Sequence, residues 1–155
     1  MKLSRRSWLD GRGYSLAEIL VTVAVIGIIS AVSVPFFINY SRAAATKGGA
    51  EELTTILNQA RQLAIAKNTT VCVNQNAGKV QFLTGGCAGT VWTGPGTNGN
   101  GWFTLSNGVT VTTNPQVVFN FIGAATTAGV YTVHNPIDNS TLTVTVALSG
   151  RITIP

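Results

Sequence analysis

Charge is scarce in this chain: lysine, arginine, aspartate and glutamate together make up 10% of its 155 residues, with only five acids in all. That scarcity excludes chemistry. His134 is the only histidine and has no clustered Cys, Asp or Glu, so no metal-ligand set exists and neither metal nor cofactor is expected. Asp138 is the only acid after Glu52, which removes the paired carboxylates of acid–base hydrolysis from the C-terminal half. No nucleophile motif accompanies His134 and Asp138, so a Ser-His-Asp triad has no basis. The run GPGTNGNG, residues 94–101, lacks the Lys-Ser/Thr and strand-to-helix setting of a phosphate cradle and reads as a surface turn. An enzyme is not expected. Cysteine is limited to Cys72 and Cys87.

The formal net charge of +5 invites a nucleic-acid reading, but +3 of it belongs to Lys2, Arg5, Arg6, Asp10 and Arg12, leaving +2 for the rest. Positive charge so placed reads as a topogenic signal that stays cytoplasmic. Behind it, no residue from Ile19 to Val34 is charged, and the apolar character extends with interruptions to Ile38. A helix from Tyr14 to Ile38 would span roughly 37 Å, enough for a hydrocarbon core of about 30 Å. Hydropathy alone leaves two readings: a retained membrane helix, or a secretory signal peptide cut near Ala31-Val32-Ser33. Either way, the C-terminal part leaves the cytoplasm.

The junction GRG-YSLAE favours the first. It combines a short basic leader, Gly13, an aromatic Tyr14 and, four residues on, Glu18. This pattern resembles the leader of type IV prepilins and type II secretion pseudopilins. The resemblance implies that a prepilin peptidase cuts between Gly13 and Tyr14 on the cytoplasmic side and methylates the new amine of Tyr14. It also implies that Gly27 and Pro35 weaken or kink the helix. Glu18 is then the assembly residue: a carboxylate in lipid is costly unless paired, and the α-amine of a neighbouring Tyr14 is a suitable partner.

Past Pro35, where a kink or local melting is expected, Leu53, Ile56, Leu57, Ala60, Leu63 and Ala64 follow the three–four spacing of an amphipathic helix. Glu52, Thr55, Gln59 and Gln62 fall on the other side and suit solvent or a neighbouring subunit. Gly48-Gly49 should weaken the helix and lend it flexibility. From Thr69 the period becomes that of strands, in eight short β-branched or aromatic runs from TTVCVNQ to GRITIP, separated by turn formers such as Asn76-Ala77-Gly78 and Asn135-Pro136. The expected architecture is α+β: a long N-terminal helix, transmembrane and then amphipathic, covering a mostly antiparallel sheet.

Three stretches narrow the resemblance to the GspH/FimT group of pseudopilins and minor pilins. These are the helix end Leu57-Asn58-Gln59-Ala60-Arg61, the element from Phe119 to Gly123, and the closing strand after Gly150-Arg151. The implied fold is the type IV pilin fold, divided into a leader (1–13), an assembly helix (14–38), its amphipathic continuation (39–68) and a periplasmic β-rich head (69–155). Arg61 reads as structural. In an oxidising periplasm a Cys72–Cys87 disulfide is favoured over two free buried thiols.

The expected function is a structural minor pilin or pseudopilin, held single-pass in the inner membrane and then incorporated with other pilins into a type IV pilus or a type II secretion pseudopilus. A DNA-binding minor pilin for transformation is the alternative. Competence-type members of the group carry a basic Gly-Arg-x-Arg stretch for DNA, but here Gly150-Arg151-Ile152-Thr153 lacks the second Arg. Arg151, with Lys79 and Lys67 as candidate helpers, leaves few cations to neutralise phosphates.

Overall fold

The computed structural model describes residues 14–113 and 115–155. The leader and Gly13 therefore lie outside the described residues. Among the described residues one α-helix, α1 (Leu16–Ala66), is followed by ten strands: β1 (Val71–Asn76), β2 (Lys79–Thr84), β3 (Thr90–Val91), β4 (Trp102–Thr104), β5 (Thr110–Thr113), β6 (Val118–Phe119), β7 (Ala125–Thr127), β8 (Gly129–His134), β9 (Thr141–Val146) and β10 (Ile152–Thr153). Contacts divide the chain into two units, residues up to Asn39 and residues 40–155, the division falling inside α1.

In the first unit every described side chain is exposed. The helix runs unbroken past Gly27 and Pro35, so the local melting expected near Pro35 is not seen. Proline has no N–H to offer the carbonyl four residues back, at Ala31, yet its neighbours keep the helix wound.

In the second unit α1 turns one face inward. Thr46, Gly49, Ala50, Leu53, Ile56, Leu57, Ala60 and Ala64 are buried, the spacing of a helix packed on a core. The helix closes on Asn68 in the left-handed region (φ 48°). The Thr69 N–H reaches the Ala64 carbonyl (3.1 Å) and the Asn68 N–H the Ile65 carbonyl (3.2 Å), the paired bonds that satisfy the last turn.

The strands are antiparallel, as expected, and divide into two sheets. One runs β3-β2-β1-β6-β7, with β4 also pairing β2; the other runs β10-β9-β8-β5. The short strands β3 and β7 escape sequence reading, whereas β4, β6 and β10, equally short, are found because they lie within longer β-branched or aromatic runs. Val71, Val73, Val80 and Phe82 of the first sheet, and Val111, Tyr131, Val133, Val144 and Val146 of the second, join the buried helix face in one core. Phe82 and Phe103 of that core cluster with the partly buried Trp92, with ring centroids 4.8–6.2 Å apart.

Two expectations about the helix are corrected. Gly49 acts in packing: a Cβ there would lie 2.6 Å from Cγ2 of Val109, so a larger residue would force the loop before β5 to shift. Glu52 and Gln59 do not simply face solvent. The Glu52 carboxylate accepts the Ser106 N–H (2.8 Å), and the Gln59 amide donates to the Pro95 carbonyl (3.4 Å).

Candidate functional site

The uncovered length of α1 is the first candidate. The Ser15 carbonyl accepts the N–H groups of Glu18 (3.0 Å) and Ile19 (3.2 Å), closing the first turn. Glu18 stands in that turn, where the helix macrodipole favours an acid. Around it Tyr14, Leu16, Ile19, Leu20 and Val23 line an open apolar surface, and Tyr14 is 79% exposed. A helix apolar on all sides and buried nowhere suits lipid or other helices.

The second candidate is where the three motif stretches meet. Arg61, near the end of α1, lies beneath two turns, Asn120–Ala124 between β6 and β7 and Ala147–Arg151 between β9 and β10. Each turn is closed by its own backbone bonds, Gly123 N–H to Asn120 carbonyl (2.9 Å) and Gly150 N–H to Ala147 carbonyl (2.8 Å), and the Asn120 carboxamide also accepts from Ile122 (3.1 Å) and Ala124 (3.0 Å). Gly123 (φ 81°) and Gly150 (φ 79°) occupy the left-handed region. A Cβ on Gly150 would strike the Gly123 carbonyl, and one on Gly123 would come 3.0 Å from Nε of Arg61. Arg61 Nε is buried without a hydrogen-bond partner. Arg61 thus packs against both turns. The same turns and the helix end hold Ile65, Phe121, Ile122 and Leu148 outward, each about half or more exposed, an apolar patch of the sort that marks interaction surfaces. Sequence reading found the motif fragments and missed the patch, because its members come from three separate stretches.

Cys72 and Cys87 are joined, with a Cα–Cα distance of 5.0 Å, linking β1 to the loop between β2 and β3. Lys79 opens β2 in one sheet, whereas Arg151 precedes β10 in the other. Lys67 follows α1 and donates its N–H to the Leu63 carbonyl (2.9 Å). His134 ends β8 with its ring between the Thr110 hydroxyl (3.4 Å) and Asn139 Oδ1 (3.3 Å). Asp138 is held below the usual carboxylate range by the Ser140 N–H and hydroxyl, with Arg42 adding a smaller electrostatic pull. Among the described residues no three His, Cys, Asp or Glu side chains group as metal ligands.

The long apolar helix and the two antiparallel sheets define a protein of the type IV pilin fold. Residues 49–150 match the family described as Type II transport protein GspH, and the chain belongs to that family of structural pseudopilins and minor pilins. The chain is similar in fold to the minor pseudopilin EpsH from the type 2 secretion system of Vibrio cholerae (15% identity, 71% of this chain and 95% of that one, TM-score 0.54). It is similar likewise to the type IV minor pilin FimU of Pseudomonas aeruginosa (12%, 75% and 92%, TM-score 0.54) and to GspH of E. coli (16%, 74% and 88%, TM-score 0.50). No curated protein sequence matches it.

Proposed function

We propose that this chain is a non-enzymatic filament subunit, cut between Gly13 and Tyr14 by a prepilin peptidase, N-methylated at Tyr14, and held in the inner membrane by residues 14–38 with its head in the periplasm. From there it enters a pseudopilus or type IV pilus. The observation that carries this reading is the helix itself: from Leu16 to Tyr40 it exposes an apolar surface on every side, which lipid would cover first and neighbouring helices afterwards. Glu18 fits this sequence of environments. A carboxylate near the helix start pairs with the α-amine of Tyr14 in an adjacent subunit, so the charge that lipid disfavours sets the register of stacked helices. The bend proposed at Pro35, with Gly27 as a second weak point, lets the helix adjust during entry.

The alternative of a DNA-binding minor pilin draws on Lys79, at the start of β2, and Arg151, just before β10 of the other sheet. Affinity for duplex DNA rises with the number of phosphates neutralised together, and this pair supplies little of it.

One experiment tests the main reading. Mass spectrometry of membrane-extracted protein should give an N-terminus at Tyr14 bearing one methyl group. Glu18→Ala should be cleaved and inserted as well as the native chain yet be depleted from sheared filaments. An N-terminus near Val34, or undiminished incorporation of Glu18→Ala, would refute it.

A further inference from the structure

The chain passes from the apolar segment, ending at Ile38, directly into the stretch Tyr40–Thr46, and one loop of the head is pinned to that stretch. The loop is residues 135–140, between β8 and β9. Asn135 is 1% exposed and donates its side-chain amide to the Arg42 carbonyl (3.4 Å), and the hydroxyls of Ser140 and Thr46 are 2.6 Å apart. Within the loop the Ile137 N–H reaches Asn135 Oδ1 (3.0 Å), the Asn139 N–H the Asn135 carbonyl (2.9 Å) and the Ser140 N–H Asp138 Oδ1 (3.0 Å). This bracing presents one large apolar side chain outward, Ile137, 68% exposed amid Asn, Asp and Ser. Tyr40, on the stretch the loop is tied to, is 67% exposed.

Chain length bounds how far the anchoring point of this loop can stand from the apolar segment. Arg42 is four residues beyond Ile38, about 6 Å along a helix and no more than about 14 Å even if fully extended. The headgroup region on either side of a bilayer core is roughly 5–8 Å thick. A tyrosine and an arginine within that reach, with an exposed aliphatic on the loop tied to them, have the composition of an interfacial anchor, with apolar parts among the acyl chain ends and the cation among phosphates.

We propose that loop 135–140 rests on the surface of the membrane that the apolar helix enters, with Ile137 and Tyr40 in the headgroup layer and Arg42 against lipid phosphate. The contact depends on the membrane reading above and concerns the subunit before assembly. It holds the head against the bilayer and must be released when the subunit moves into a filament.

The full chain, reconstituted in vesicles of phosphatidylethanolamine and phosphatidylglycerol with a nitroxide at headgroup level, provides the test. Because the two native cysteines are bonded to each other, a fluorophore can be placed on a single introduced thiol. Labels go at Pro136→Cys beside Ile137, at Thr126→Cys elsewhere on the head, and at Ala24→Cys in the helix. The Pro136 label should lose fluorescence to the headgroup nitroxide and the Thr126 label should not. Adding Ile137→Asp to Pro136→Cys should abolish the loss. Equal, unquenched signals at Pro136 and Thr126, with Ala24 shielded from an aqueous quencher, would overturn the loop contact alone. An Ala24 label open to the aqueous quencher would overturn the membrane reading and this contact with it. Loss at Pro136 that appears only at high protein-to-lipid ratio would assign the surface to a second subunit and overturn the lipid proposal.

Discussion

Tyr131 shows at the scale of one residue how burial acts on a polar group. It is fully buried in β8, and its hydroxyl lies near the Val117 backbone and the Thr113 side chain without meeting either at hydrogen-bonding geometry. Burial pushes the phenol above its ordinary value of about 10, because the ionised form would be desolvated. A folded-state pKa above the unfolded one gives stability that is complete below about pH 10 and is lost as pH rises through the folded value. Tyr131→Phe should therefore change stability at neutral pH by less than about 1 kcal/mol, since no well-formed hydrogen bond is removed, and should reduce the alkaline decline. Thermal melts of the detergent-solubilised chain from neutral to alkaline pH would check this; an unchanged decline would place the titrating group elsewhere. The sequence marked the Tyr131 run as a strand by its alternation, but nothing local announces that this phenol faces the core without a partner.

The helix is the element where sequence reading went furthest and where its treatment of one glycine pair is instructive. The buried set from Ala50 to Ala64 follows the apolar spacing in the sequence, since a helix of fixed pitch turns spacing into a face. Gly48-Gly49 read as a weak point only because propensity scales know nothing of what lies across the interface. In the structure the two glycines differ: a Cβ on Gly48 would stand 3.5 Å from Nδ2 of Asn107, an ordinary contact, whereas one on Gly49 would collide with Val109. Gly48→Ala should accordingly stabilise the chain by up to about 1 kcal/mol through helix propensity, and Gly49→Leu should destabilise it by about 1–3 kcal/mol through overpacking. Denaturant midpoints of the two variants would decide the matter. Parallel stabilisation by both would restore the flexible-hinge reading.

For the molecule as a whole, the Cys72–Cys87 bond ties the centre of one sheet to a loop with few buried side chains. Closing a separation of 15 residues is worth about 3 kcal/mol in the chain-entropy model. Replacing both cysteines by alanine should lower the unfolding free energy by about that amount, measured by denaturant titration, and a change near zero would show the loop to be held by its backbone bonds alone. What the sequence by itself determined is what depends on neighbours along the chain. That includes the apolar run with Glu18 at its start, the period change at Thr69, the turn formers, and the paired cysteines that an oxidising compartment would join. The tertiary structure alone decided what depends on residues far apart in sequence. It divided the strands between two sheets, drew Glu52 and Gln59 into contacts with distant loops, set Gly123 and Gly150 over Arg61, and pinned loop 135–140 to the helix at Arg42. Periodicity reports the face a residue turns, but the identity of what meets that face is set by how the whole chain closes on itself, and no local pattern encodes it.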